Sequence, residues 1–147
     1  MAQVDFHTGV AEPLHFACRL LRKAYRHGVR LVVSAPQPAL IELDRLLWTF
    51  DEREFVPHLR LGAPGAAGAD AWQRTPVWLV PDGTQVPHQP APEVQVNLGT
   101  EIAPELHALA RLIEVVGDDA TQLQQARARW RAYQAHGHVV VHHPAAA

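Results

Sequence analysis

The chain has 147 residues, of which 48% are hydrophobic and 19% charged, and its net charge is -2 with neutral histidine. That length and apolar content suit one domain, 1–147, with a sizeable core, and the charge balance excludes attraction of the whole molecule to nucleic acid, so any basic site is local. No apolar run approaches the roughly 20 residues of a membrane span, and the opening MAQVDFHTGV lacks the basic-then-apolar order of a signal peptide, so a cytoplasmic location is expected. Ser34, Lys23 and Cys18 are each the sole residue of their type, which leaves few nucleophiles for covalent catalysis and no internal disulfide.

In chain order, QVDFHTGV alternates and reads as a strand. EPLHFACRLLRKAYRHG has Pro13 near its start and Gly28 at its end, the punctuation of a helix, with Leu14, Ala17, Leu21, Ala24 and Tyr25 near one face. VRLVVSAP is a β-branched run stopped by proline, a buried strand. PALIELDRLLWTF returns to helical spacing, with Leu40, Leu43, Leu47 and Phe50 on one side. Strand, helix, strand, helix favours an open α/β sheet with parallel pairs. LGAPGAAGADAWQRTP predicts a mobile loop near 62–75. PVWLVP and VQVNLGT read as strands around a proline-rich turn region. PELHALARLIEVV reads as a helix opened by Pro104, DDATQLQQARARWRAYQAHG as a further helix ended by Gly137, and HVVVHH as a last strand.

No phosphate-binding loop is present, and LGAPGAAG lacks the strand–loop–helix setting of a dinucleotide fingerprint. Ser34 lacks a nucleophile elbow and suits a turn or helix start. Cys18 suits a small buried hydrophobe. His136, His138, His142 and His143 are the densest histidine cluster, but no second-half cysteine or carboxylate spacing completes a zinc set, and a polar, exposed end is the alternative. No metal or cofactor is expected.

The last helix carries Arg127, Arg129 and Arg131 and no acid between Ala120 and Gly137. Arg127 and Arg131 share a face, Trp130 lies beside Arg127, and Arg129 points about 160° away from both. An apolar floor with an arginine at its rim suits an apolar side chain joined to a carboxylate. The same stripe also suits a plain core helix, with Trp130 and Tyr133 inside. Trp48 and Phe55, in LLWTFDEREFVPH, admit two readings as well: core closure or a protein interface. Pattern alone leaves both pairs open.

Taken together, DFH, ACRLLRKAYRHGVRLVV, LDRLLWTFDEREFVPH, TPVWL, VQVNLG and LIEVVGDDATQLQQARARWRAY make the chain similar, over essentially its whole length, to the chi subunit family of bacterial DNA polymerase III. The resemblance implies a single three-layer α/β domain with a mostly parallel open sheet, like nucleotide-binding folds but without a nucleotide site. It implies a non-catalytic accessory subunit, joined to the clamp loader through a psi subunit and bound to the acidic, phenylalanine-ended tail of the single-stranded-DNA-binding protein. DNA contact is then mainly indirect. The family's tail pocket falls on Val116, Arg127 and Trp130, with Leu123 where relatives carry a basic residue; its psi-facing aromatics fall on Trp48 and Phe55. Two rivals differ in class. A small enzyme needs His58, His88 or His107 to meet a carboxylate in a cleft. A direct nucleic-acid binder would use the arginine helix, against the negative charge and lone lysine.

Overall fold

The structure is a computed structural model and describes residues 2–61, 73–82, 92–99 and 109–145. Seven strands form one sheet: β1 (Gln3–Val10), β2 (Leu31–Ala35), β3 (His58–Arg60), β4 (Val77–Pro81), β5 (Val94–Asn97), β6 (Arg111–Gly117) and β7 (Val139–Pro144). Their order is β3-β4-β2-β5-β6-β1-β7, and every neighbouring pair is parallel. Among the described residues the helices are α1 (Pro13–Arg26), α2 (Gln37–Thr49) and α3 (Ala120–Ala135). Most of the loop expected near 62–75, the proline-rich segment around His88, and the stretch holding Pro104 and His107 lie outside the described residues.

The helices begin and end where the local chemistry dictates. Pro13 opens α1, where its missing N–H costs no helical hydrogen bond. Gly28 (φ 70°) and Gly137 (φ 85°) stop α1 and α3 in the left-handed conformation that glycine adopts without strain. Asp119 caps α3, its carboxylate accepting from the backbone N–H groups of Thr121 at 2.6 Å and Gln122 at 3.3 Å.

Strand alternation divides the core into layers. Leu31, Val33, Val77, Leu79, Val96, Ile113 and Val115 pack with Ala17, Leu21, Leu40, Leu43 and Leu47 of α1 and α2. On the other face, Val4, Phe6, Leu112 and Val116 pack with Ala126 and Tyr133 of α3. The result is a three-layer open sheet.

One expected element changes type. The end of PELHALARLIEVV is strand β6, not helix. Leu112, Ile113, Val115 and Val116 are buried, on alternate faces of the sheet. A strand covered on both sides reads as an unbroken apolar run, which periodicity cannot separate from a buried helix. The three-residue edge strand β3 is too short to show a period at all. Ser34 also differs from expectation: it is a buried strand residue of β2, not part of a turn.

Candidate functional site

Strand register places a polar row across the middle of the sheet. Ser34 of β2 sits opposite Asn97 of β5, and Asn97 opposite Glu114 of β6. The Ser34 hydroxyl donates to Asn97 Oδ1 at 3.1 Å, and the Gln95 amide donates to Ser34 Oγ at 2.9 Å. Asn97 Nδ2 donates to both Glu114 oxygens, at 3.1 and 3.0 Å. From α3, Arg129 grips Glu114 with two bonds, Nε to Oε2 at 3.2 Å and Nη2 to Oε1 at 3.1 Å, and the Tyr133 hydroxyl adds a third at 2.6 Å. Burial holds the Glu114 carboxyl above its ordinary value, although Arg129, Tyr133 and Asn97 pull the other way. All of these partners donate, so the arrangement suits a carboxylate that anchors α3 to the sheet.

The opposite side of α3 is built differently. Between α3 and the paired strands β1 and β7 lies a groove of about 310 Å³. Leu123, Ala126 and Trp130 supply its apolar surface, and Arg127, Arg131, Thr8 and His142 its polar rim; among the described residues no carboxylate lines it. Trp130 is held in place by Phe6 beneath it, with ring centroids 5.1 Å apart, and by the edge of His142 at 5.9 Å. Arg127 and Arg131 are exposed. Such a surface can bind an anion and an apolar group at once.

Arg127 and Trp130 therefore meet in one groove, while Val116 does not line it. Val116 is buried in the cluster with Ala126 and Tyr133, against which Leu123 and Trp130 pack. It borders a smaller recess of about 160 Å³, with Gln122, Gln125 and Arg129, near the carboxyl ends of β5 and β6. Thr8 and His142 were not singled out for this groove. Their place depends on β1 pairing with β7 across more than 130 residues, and no local pattern encodes that pairing.

The second candidate surface lies at the far edge of the sheet. Trp48 is 65% exposed and Phe55 44%, with their ring centroids 4.8 Å apart. Exposure of this size excludes core closure as their role. Behind them stands His58, its ring 5.7 Å from each, with Nδ1 against the Val56 carbonyl at 2.8 Å and Nε2 against Asp44 at 2.7 Å. Arg60 also donates to Asp44, at 3.2 Å. Buried Val56 pins the loop, and exposed Ile41 lies seven residues before Trp48, on the same side of α2. His58 does meet a carboxylate, but both ring nitrogens are occupied and its side chain is 1% exposed, so it braces the aromatic pair. That leaves it no nitrogen with which to move a substrate proton.

Cys18, His138 and His143 are also tied down. Cys18 is buried, and burial raises its thiol to about 11, away from the reactive thiolate. His143 turns to the sheet face opposite His142, bonding Asp5 at 2.9 Å and stacking on His7 at 4.7 Å. His138 accepts from the Ala2 backbone N–H at 3.2 Å. The C-terminal histidines thus spread over separate sites. Among the described residues, no helix is long and apolar enough to cross a membrane.

A family model for the DNA polymerase III chi subunit, HolC, matches residues 1–141. The chain belongs to the DNA polymerase III chi subunit family. It is 31% identical to the DNA polymerase III subunit chi of Pseudomonas aeruginosa over 148 aligned residues, covering 97% of this chain and 96% of that protein. It is 29% identical to the protein of that name from Haemophilus influenzae over 125 residues, covering 82% and 79%.

Proposed function

We propose that this chain is a non-catalytic, cytoplasmic accessory subunit of a DNA polymerase III holoenzyme. In this reading it couples the clamp-loader assembly to single-stranded DNA coated by the single-stranded-DNA-binding protein. The α3/β7 groove takes the acidic, phenylalanine-ended C-terminal tail of that protein, and the Trp48–Phe55 surface takes a psi-type subunit. Family membership supports the assembly, and one observation carries the tail: Arg127, Arg131 and Trp130 line a single groove that has an apolar floor and, among the described residues, no acid.

Arg127 offers a planar fork to the terminal carboxylate, and Trp130 and Leu123 offer contact for the last side chain. Val116 contributes from beneath, by shaping the floor. A short peptide held this way binds weakly, and the many tails on a coated strand raise the effective concentration. Contact with DNA is indirect, consistent with the net charge of -2.

The test is titration of a labelled tail peptide into the protein, with a C-terminally amidated peptide as control. The free acid is expected to bind more tightly, and Arg127→Ala to weaken it about ten- to a hundredfold, the worth of one charge-assisted contact. Arg127→Lys should restore binding only in part. Equal affinity for the two peptides, or no effect of Arg127→Ala, would remove the carboxylate clamp.

A further inference from the structure

We infer that His142 is a further ligand-binding group of the α3/β7 groove, one that supplies a positive charge dependent on pH. This rests on the reading of the groove as a site for an acidic, apolar-ended peptide.

The observations are geometric. β7 runs parallel to β1 with Phe6 opposite His142 and Thr8 opposite Pro144, so Phe6, Thr8 and His142 face α3 together. His142 Nε2 lies 2.6 Å from Thr8 Oγ1. That contact orients the ring and leaves Nδ1 without a partner among the described residues. The ring meets the Trp130 indole at 90°, and both line the groove with Arg127 and Arg131. His142 thus stands across from the helix, over the apolar floor that Leu123, Ala126 and Trp130 supply.

The charges around it set the direction of the effect. From α3, Arg127 and Arg131 face the groove, while Arg129 is turned inward to Glu114. From β1, only Thr8 faces it; Asp5 and His7 engage His143 on the other side of the sheet. Asp118 and Asp119 lie at the start of α3 and do not line the groove, and His136 at its end bonds the Ala132 carbonyl. A carboxylate bound beside an imidazole favours the imidazolium, which then donates from both nitrogens. By linkage, an anion that prefers the protonated ring binds more tightly as pH falls through the range in which imidazoles titrate. Arginine does not titrate there, and the peptide's carboxylates ordinarily titrate near pH 4, so among the described lining residues an imidazole is the side-chain type able to produce the slope.

The experiment is titration of the free-acid tail peptide into the full chain at pH 6 and pH 8, at one ionic strength. Wild-type affinity should rise about tenfold from pH 8 to pH 6, the value of one added charge-assisted contact. His142→Gln should lose most of that slope while retaining dependence on Arg127. His142→Lys should bind at both pH values as tightly as wild type does at pH 6; a role confined to holding Thr8 predicts weak binding by this variant instead. His143→Gln, altered on the opposite sheet face, should keep the slope. A flat wild-type profile, a slope unchanged in His142→Gln, or one lost in His143→Gln overturns the inference and leaves the peptide groove standing. If the peptide does not bind at either pH, and Arg127→Ala changes nothing, the groove reading itself falls and takes this inference with it.

Discussion

Arg127 and Arg129 stand two residues apart on α3, turned about 160° from each other by the helix. Arg127 is exposed on the rim of a groove, over Trp130. Arg129 is 5% exposed and held in a fork against Glu114, itself fully buried. A charge in water costs little to keep and is free to meet a partner. A charge in the core must be fully matched, and Asn97, Tyr133 and Arg129 together match Glu114. β7 repeats the contrast with adjacent histidines: His142 faces the groove, while His143 bonds buried Asp5. In both elements the residue type is the same and the environment sets the task.

The strongest way to break the comparison is Arg129→Ala. It leaves Glu114 as an uncompensated buried charge and should lower stability by about 3–5 kcal/mol in chemical denaturation. A loss no larger than that of a surface substitution would mean that α3 is not anchored through this pair. Arg127→Ala should do the reverse, leaving the melt nearly unchanged while the tail peptide loses about 1.5–3 kcal/mol of binding.

Phe55→Ala extends the contrast to the far edge of the sheet. An aromatic at the centre of an interface loses about 2 kcal/mol of partner binding when truncated, whereas a core aromatic would lower stability by about 3–5 kcal/mol. Its exposure predicts the first outcome: weaker co-purification with a psi-type subunit and a melt close to wild type. Intact binding with a collapsed melt would make the patch structural.

The smallest effect concerns Asp5. Burial opposes its ionisation, but hydrogen bonds from His143, Arg111 and Gln3 and the charge of Arg111 outweigh it and hold the carboxyl below its ordinary value. Its folded pKa is therefore depressed. The stability it contributes is present above the unfolded-state value, about pH 4, and disappears as pH falls through the lower folded value. Denaturation of Asp5→Asn across pH 7 to pH 2 should show a flatter acid limb than wild type. Equal slopes would show that the pairing with Arg111 and His143 adds nothing to the fold.

Much of the architecture was legible because it is local. The spacing of Leu40, Leu43 and Leu47, the proline opening α1 and the glycines closing α1 and α3 each act within a few residues, and the structure has those helices there. β6 was not legible, because burial on both faces erases the period that identifies a strand. Glu114 stood in that misread segment, so its pairing with Arg129 was hidden as well.

The sequence by itself determined the opening strand–helix–strand–helix order and the opposite directions of Arg127 and Arg129, since backbone periodicity and helical pitch act through near neighbours. Resemblance added the family. Only the tertiary structure decided which direction faced solvent, that Trp48 and Phe55 lie outside the core, and that Thr8 and His142 complete the groove with Arg127 and Trp130. The groove depends on β1 lying between β6 and β7, a parallel pairing made between residues more than a hundred positions apart and recorded in no local run of the chain.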